Sequence, residues 1–370
     1  MKKIKIITFQ NANNYGALLQ AYALQSKLSE KYNVEIIDYK NKIIEKPYKV
    51  ININTENLTK LIKSFIKSII FYFPNVNRYK KMNKFRNQNM NLTDRKYYTE
   101  EELKEKSIPA DVYITGSDQV WNSDITLGLQ DSYTLNFGNK TINRISYAAS
   151  LGNIDIDEQK ENIYINKISR INHISVREER AKEILSRLIK KNIDVVLDPT
   201  MLLTKFDWIE KTKNLKKEKE KYILSYFVDP DKEFVKIVNK VAEKEKLKVI
   251  HFALRKNGVK HILRSAYTDG PFEFINLIKN AEYIICTSFH ATVFSIIFNK
   301  KFWVIPHRKT GSRVTNLLKK LDIAERAVDS LEEFEKLDYD KEIDYAKVNK
   351  ILEIERKKSI EWLENAIDSD

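Results

Sequence analysis

The chain has 370 residues, 42% of them apolar, enough to bury the cores of about two domains and too many for a chain disordered throughout. Against 51 Asp and Glu stand 65 Lys and Arg, a net charge of +14 that admits nucleic acid, anionic membranes or anionic small molecules as partners. The single cysteine, Cys286, excludes an internal disulfide and any Cys-x-x-Cys metal site, so a reducing cytoplasm is expected. The lysines are spread along the chain beside abundant Asn and Ile, with no zinc finger, RNP-type aromatic motif or long basic block, and no nucleic-acid partner is expected. The five histidines show no HExxH-type spacing, so no metal is expected. No apolar stretch reaches the roughly 20 residues of a membrane span. Met1 to Phe9 runs directly into a strand pattern, so no secretory signal is expected.

In chain order, Ile4 to Phe9 is an apolar β-branched run that predicts a buried strand. A polar loop follows, then a helix from Ala17 to Leu28 and a strand from Val34 to Tyr39, the opening of a parallel β-α-β sheet. Leu61, Ile62, Phe65, Ile66, Ile69, Ile70 and Phe73 form one apolar helical stripe with Lys60, Lys63 and Lys67 off it, and Pro74 is expected to end it. Such a stripe suits peripheral membrane contact through residues 60–73 or a lipid-linked substrate; more commonly it packs on its own protein. Further strands are predicted at Asp111 to Thr115, Arg144 to Ala148 and His173 to Val176, with a helix from Arg177 to Lys190.

A second half is expected to restart with a strand at Val195 to Leu197, stopped by Pro199. The charge run Lys211 to Lys221 predicts an exposed connection. Strands at Tyr222 to Val228, Leu247 to Phe252, Tyr283 to Cys286 and Lys301 to Pro306 alternate with helices at Lys232 to Glu245, Pro271 to Ala281, Ala291 to Phe298 and Val314 to Leu321. Tyr345 to Ile367 predicts one amphipathic helix. Val112 to Ser117 and Tyr283 to Ser288 echo one another, each placing small polar residues where a strand leaves its sheet. The expected domains are residues 1–190 and 191–344, with the 345–370 helix returning to the first. Two such domains face to face would put a site in the cleft between them, because ligands of open α/β sheets bind at strand carboxyl ends.

Five segments hold chemistry-bearing residues, each with a bland reading beside the functional one. In Asn13-Asn14-Tyr15-Gly16-Ala17, Gly16 admits close backbone approach and the helix N-terminus offers N–H groups to an anion or hydroxyl; equally, Asn14 suits a helix cap. This is neither GxGxxG nor a P-loop. In Thr115-Gly116-Ser117-Asp118-Gln119-Val120-Trp121-Asn122, an indole among hydroxyl, acid and amide groups suits a sugar, or else a capped turn over a buried Trp121. Arg177, at a strand-to-helix turn, can grip an oxyanion or pair with Glu178, Glu179 or Glu183. Ser288, Phe289 and His290 open a helix where a histidine can serve as an acid, a cap or a core residue. Cys286, within the preceding strand, is read as a small core residue. His307 to Arg313 crowds cations and hydroxyls ahead of another helix, an anion grip or a solvated basic loop.

Taken in series, these segments resemble the polysaccharide pyruvyltransferase family. The resemblance rests on Ile6 to Phe9 with Asn14 to Ala21, Tyr113 to Trp121, Ile145 to Ser150, Ser175 to Glu178, Leu197 to Thr200, Ser288 to Ala291 and Arg313 to Leu318. It covers roughly Met1 to Leu321; the charged C-terminal part matches poorly. It implies a GT-B-like fold of two Rossmann-like domains with parallel sheets facing a cleft. The implied reaction transfers the pyruvyl group of phosphoenolpyruvate to a sugar or lipid-linked oligosaccharide as a ketal, with release of phosphate and no metal or cofactor. It implies Arg177, His290 and Arg313 as donor-site residues, meeting at one anion position in the cleft near His290, with Ser288 also binding substrate and the second domain as the donor side. Asn14, Tyr15, Gly16, Gly116, Ser117, Asp118, Gln119 and Trp121 fall on the acceptor side, with His290 the general acid and Asp118 the chosen base. Some members carry Lys where Arg313 aligns, which keeps the charge and alters its geometry. The rival readings are a nucleotide-sugar glycosyltransferase of the same fold and a non-catalytic glycan-pathway binding protein. The protein is expected in the cytoplasm, peripheral at the inner membrane face if the 60–73 stripe docks there.

Overall fold

A computed structural model describes the chain except residues 52, 54–55, 107, 153–154, 228–231, 307–310 and 370. It divides into two compact units, Met1–Leu202 with Glu355–Asp370, and Leu203–Ile354.

The first unit is built on a seven-stranded parallel sheet of order β3-β2-β1-β4-β5-β6-β7. Its strands are β1 (Lys3–Ile7), β2 (Asn33–Tyr39), β3 (Leu92–Tyr97), β4 (Val112–Thr115), β5 (Asn143–Ala149), β6 (His173–Val176) and β7 (Ile193–Val195). Its longer helices are α1 (Tyr15–Leu28), α2 (Leu58–Ile70), α3 (Tyr72–Asn89), α4 (Glu158–Ile168) and α5 (Glu179–Leu188). The central strand β4 is buried at every residue because both faces of the sheet are covered there. Tyr113, Trp121, Tyr133 and Phe137 lie in the core on one side of this sheet.

The second unit has a five-stranded parallel sheet of order β10-β9-β8-β11-β12. Its strands are β8 (Tyr222–Tyr226), β9 (Lys248–His251), β10 (Ile262–Ser265), β11 (Tyr283–Cys286) and β12 (Lys301–Val304). The accompanying helices are α6 (Lys205–Thr212), α7 (Lys232–Glu245), α8 (Pro271–Asn280), α9 (Phe289–Ile297) and α10 (Ser312–Lys320). The last helix, α11 (Tyr345–Asp368), begins in the second unit and belongs to the first from Glu355 onward. There Arg356 Nε donates to Met201 O at 2.8 Å, Leu197 N donates to Ser359 Oγ at 3.0 Å, and the Trp362 indole donates to Asp194 at 2.8 Å.

Both sheets change winding direction at equivalent places, between β1 and β4 in one and between β8 and β11 in the other. The echoing segments Val112 to Ser117 and Tyr283 to Ser288 are β4 and β11 with the turns that follow, so each occupies its sheet's switch point, where such folds bind ligands.

Three expectations are corrected. The strand expected to open the second half is β7; it pairs with β6, and the division between units comes after Leu202 rather than after residue 190. Pro74 does not end the apolar helix. That helix stops at Ile70, and Pro74 sits in the first turn of α3, where a missing N–H costs nothing. Nor does the stripe pack on its own protein. Ser68 is the one buried residue of α2, whereas Ile69 and Ile70 are each 61% exposed and Phe73 is 76% exposed.

Candidate functional site

In the first unit the carboxyl ends of β1, β4, β5 and β6 carry one continuous buried polar network. Gln20 Nε2 on α1 donates to Thr8 Oγ1 at 2.9 Å, and Thr8 Oγ1 donates to Ser117 O at 2.7 Å. Ser117 Oγ donates to Asp198 Oδ2 at 3.1 Å. Arg177 Nη1 reaches the same carboxylate oxygen at 3.0 Å, while Arg177 Nε donates to Glu178 Oε1 at 2.8 Å, which also accepts from Ser150 Oγ at 2.9 Å. Asp198 is fixed further by Thr200, whose N–H and Oγ1 donate to Oδ1 at 3.0 and 2.6 Å. The turn after β4 starts at Gly116, where an added Cβ would stand 3.2 Å from Thr8 Cβ. Asp118 then adopts φ +86°, an uncommon conformation for a residue with a side chain, with Oδ1 accepting from Gln119 N at 2.8 Å. Ala148, at the bulge of β5, also has positive φ, and Ser150 N returns to Asp118 O at 3.0 Å.

The Arg177 side chain is only 2% exposed. Burial alone would lower its guanidinium; Glu178, Asp198 and Asp118 outweigh burial and hold it above the ordinary arginine value. One cation among three carboxylates leaves this cluster with no positive excess. The open oxyanion grip expected of Arg177 is therefore not what the fold builds. Among its expected partners it bonds Glu178, and the bond is buried. Arg177 is grouped with the Ser117–Asp118 turn, on the side expected to hold the acceptor.

Other expected positions resolve individually. Asn14 caps α1, its Oδ1 accepting from Gly16 N at 2.9 Å and Ala17 N at 3.3 Å, so those two amides serve the cap and not a ligand. Tyr15 is buried; its hydroxyl accepts from Arg78 Nη1 at 2.9 Å, and the guanidinium carbon stands 4.6 Å from its ring centroid. Trp121 is wholly buried and its indole donates to Tyr133 O at 3.0 Å, which corrects the expectation of a stacking platform for a sugar ring. Gln119 is half-buried, and its Oε1 accepts from Asn122 Nδ2 at 2.9 Å. Gly152 has φ +69°, which disfavours a side chain, and a Cβ there would come within 2.3 Å of Gln119 Oε1 and push the Gln119–Asn122 pair aside.

In the second unit His290 and Arg313 each adjoin Phe289. Ser288 ends the turn after β11 and caps α9, accepting from Ala291 N at 3.4 Å. Phe289 and His290 form the first turn of α9 and pack edge to face, centroids 5.2 Å apart. Arg313, in the first turn of α10, has its guanidinium carbon 5.8 Å from the Phe289 ring centroid. Phe289 thus has the His290 imidazole and the half-exposed Arg313 guanidinium as neighbours, each in the first turn of its helix, and a cation at a helix N-terminus suits an anionic ligand. Cys286 below them is a core residue, as expected; burial pushes its thiol up to about 11. The expected basic positions His307, Arg308 and Lys309 lie outside the described residues. Among the described residues no group of three or more His, Cys, Asp or Glu is placed to hold a metal ion.

Sequence reading missed Thr8, Gln20 and Glu178 as parts of a site, and Asp198 as the residue joining Ser117 to Arg177. A usable signal for Asp198 was its place just before Pro199, where an acid caps a turn.

A family model described as polysaccharide pyruvyl transferase matches residues 14–309. The chain belongs to that family. The match spans both switch-point turns and all of the network except Thr8. No curated protein matches the chain. Among solved structures, the UDP-GlcNAc 2-epimerase of Methanocaldococcus jannaschii in complex with UDP-GlcNAc and UDP aligns with TM-score 0.50 and 15% identity over 95% of this chain and 99% of that chain. The S. aureus MnaA–UDP structure aligns with TM-score 0.50 and 12% identity over 100% of this chain and 99% of that chain. At such identities the likeness concerns the fold, which is GT-B-like: two Rossmann-like units, each with a parallel sheet.

Proposed function

We propose that this pyruvyl transferase family member moves the pyruvyl group of phosphoenolpyruvate onto two hydroxyls of a sugar or lipid-linked oligosaccharide as a ketal, releasing phosphate. The observation that carries the reading is that His290 and Arg313, each in the first turn of a helix, both adjoin Phe289, in a chain whose family match includes His290. Phosphoenolpyruvate brings a carboxylate and a phosphate, and a guanidinium with two helix N-termini can hold both.

The chemistry then follows from the substrate. His290 gives a proton to the C3 methylene, leaving C2 electron-poor, and a sugar hydroxyl adds to C2 as it loses its own proton. The C2–O bond to phosphate breaks, Arg313 stabilises the departing anion, and a second hydroxyl closes the ketal. One hydroxyl proton balances that placed on C3, and the other leaves with phosphate. Asp118, held at positive φ at the end of β4, is the base for the acceptor, beside Gly116, Ser117 and Gln119. Arg177 is a positioning residue that holds Ser117, Glu178 and Asp198 in place.

The test is a reaction in D2O with a purified lipid-linked or oligosaccharide acceptor pool. The product methyl should carry one deuterium, and His290→Gln should cut turnover by about 10²-fold or more, the usual scale for a positioned acid. Thermal stabilisation by phosphoenolpyruvate is expected, about 2.7 kcal/mol at a hundred times its Kd, with none from UDP. Stabilisation by UDP and not by phosphoenolpyruvate would replace this reading with a nucleotide-sugar reaction.

A further inference from the structure

The α2–α3 pair presents its surface inside out. At 3.6 residues per turn, Leu58, Ile62, Phe65, Ile66, Ile69 and Ile70 fall within an arc of about 140°, and all six are exposed. Phe73, in the first turn of α3, extends the patch. The side that α2 turns inward carries the small polar Ser64 and Ser68 with Leu61. A helix whose isoleucines face out while its serines face in is not being held for its own protein's core.

The charge of the same segment says what covers it. From residue 57 to residue 93 the chain carries eight Lys and Arg and no Asp or Glu, although about five acids would fall there if the 51 of the whole chain were spread evenly. On α2 the cations form a flank. Lys63, Lys67 and Lys60 occupy the arc next to the apolar one, with Lys60 paired to Glu56 just upstream. An apolar face edged by lysines, on a stretch purged of acids, matches a surface with a hydrocarbon interior and anionic headgroups. A protein partner would need the same apolar strip ringed by acids; a second copy of this chain would bring eight more cations.

We propose that α2 and the first turn of α3 dock this protein on an anionic lipid surface, the helix lying flat with Ile62, Phe65, Ile66, Ile69 and Phe73 in the headgroup–acyl boundary and Lys63 and Lys67 among the headgroups. Among the described residues no helix is long and apolar enough to cross a membrane, so the contact is peripheral. The docking helices are tied to the β1–α1 loop. Arg78 on α3 donates to the Tyr15 hydroxyl, and Arg86 donates to Gln10 O at 2.8 Å and Asn13 Oδ1 at 2.9 Å. The inference does not depend on the pyruvyl-transfer reading.

The full chain is sedimented with vesicles of phosphatidylcholine, and with vesicles of equal parts phosphatidylcholine and phosphatidylglycerol. Binding to the mixed vesicles is expected to exceed binding to the neutral ones by about tenfold or more, and to weaken toward 1 M salt, where the screening length falls to about 3 Å. Phe65→Ser with Ile69→Ser, at exposed positions that leave the fold unchanged by circular dichroism, should lower the partition coefficient at least about tenfold. Lys63→Glu with Lys67→Glu should abolish the preference for the anionic vesicles. In a separate Phe65→Trp variant, indole emission should shift to the blue on the mixed vesicles and stay put on the neutral ones. Wild-type protein that stays in the supernatant with both vesicles overturns the proposal. So does a wild-type dimer by light scattering that Phe65→Ser with Ile69→Ser turns into a monomer, since the face would then be a self-association surface.

Discussion

Replacing Arg177 by leucine separates the two roles that an arginine at this turn can have. The substitution removes a buried cation with bonds to Asp198 at 3.0 Å and Glu178 at 2.8 Å. Breaking a buried pair from one side costs about 3–5 kcal/mol because a charge is left without its counterpart. Both carboxylates retain other donors: Glu178 keeps Ser150, and Asp198 keeps Ser117 and the two bonds from Thr200. The loss should therefore sit at the low end, about 3 kcal/mol, which lowers the melting temperature of a unit this size by roughly 6–12 °C. Urea denaturation at neutral pH, followed by tryptophan emission, reads the change; the wholly buried Trp121 reports on this unit. Arg177→Lys restores the charge without the planar fork and should recover part of the loss. A positioning role also predicts that Arg177→Lys lowers kcat while changing the KM for phosphoenolpyruvate by less than about threefold. Arg313→Gln should instead raise that KM by about tenfold or more, about the worth of one charged hydrogen bond. A wild-type urea midpoint for Arg177→Leu, or a tenfold KM rise for Arg177→Lys, would refute the argument.

Three further outcomes are expected. His251, at the end of β9, accepts or donates at Nδ1 to Ser225 Oγ at 3.0 Å, and burial pushes its imidazole down to about 4. The unfolded chain then binds the extra proton first as pH falls through about 6.5. Stability should drop by about 2 kcal/mol from about pH 7 to about pH 5, and His251→Gln should lose that slope in urea titrations at the two pH values. Asp118→Gly relieves a positive φ, so it should leave stability unchanged or raise it by up to about 1 kcal/mol while phosphate release collapses; retained turnover would exclude Asp118 as the base. Ending the chain before Glu355 removes Arg356, Ser359 and Trp362 from the first unit and should lower its melting temperature; an unchanged melting curve would show that α11 contributes nothing to that unit.

The alternation of strands and helices was legible because it is written locally. Both faces of a parallel strand are buried, so β4, β8 and β11 appear as short, largely apolar runs, and the helices between them repeat at helical spacing. The same local grammar placed the switch-point turns after β4 and β11, and with them Ser117, Asp118, Ser288 and His290. It failed at two of the sheet edges. β3, Leu-Thr-Asp-Arg-Lys-Tyr, and β10, Ile-Leu-Arg-Ser, are border strands half open to solvent; their sequences carry no apolar run, and only pairing to β2 and β9 makes them strands. The ownership of β7 likewise depends on its partner β6, a contact between residues far apart in the chain.

What a polar side chain faces was beyond the sequence as well. In the sequence Arg177 reads as an anion grip or as a partner of a nearby glutamate; tertiary packing also brings Asp198, 21 residues away, onto its guanidinium. Trp121 reads either as a sugar platform or as a buried core residue, and packing decides for the core. The stripe on α2 shows the same limit from the other side. Its 3.6-residue period determines that one face is apolar, but whether that face turns inward or outward is set by which neighbours surround the helix. Here the rest of the unit accepts its serines and leaves its isoleucines and phenylalanines in the open. Periodicity is a property of adjacent residues, whereas direction is a property of the packed whole.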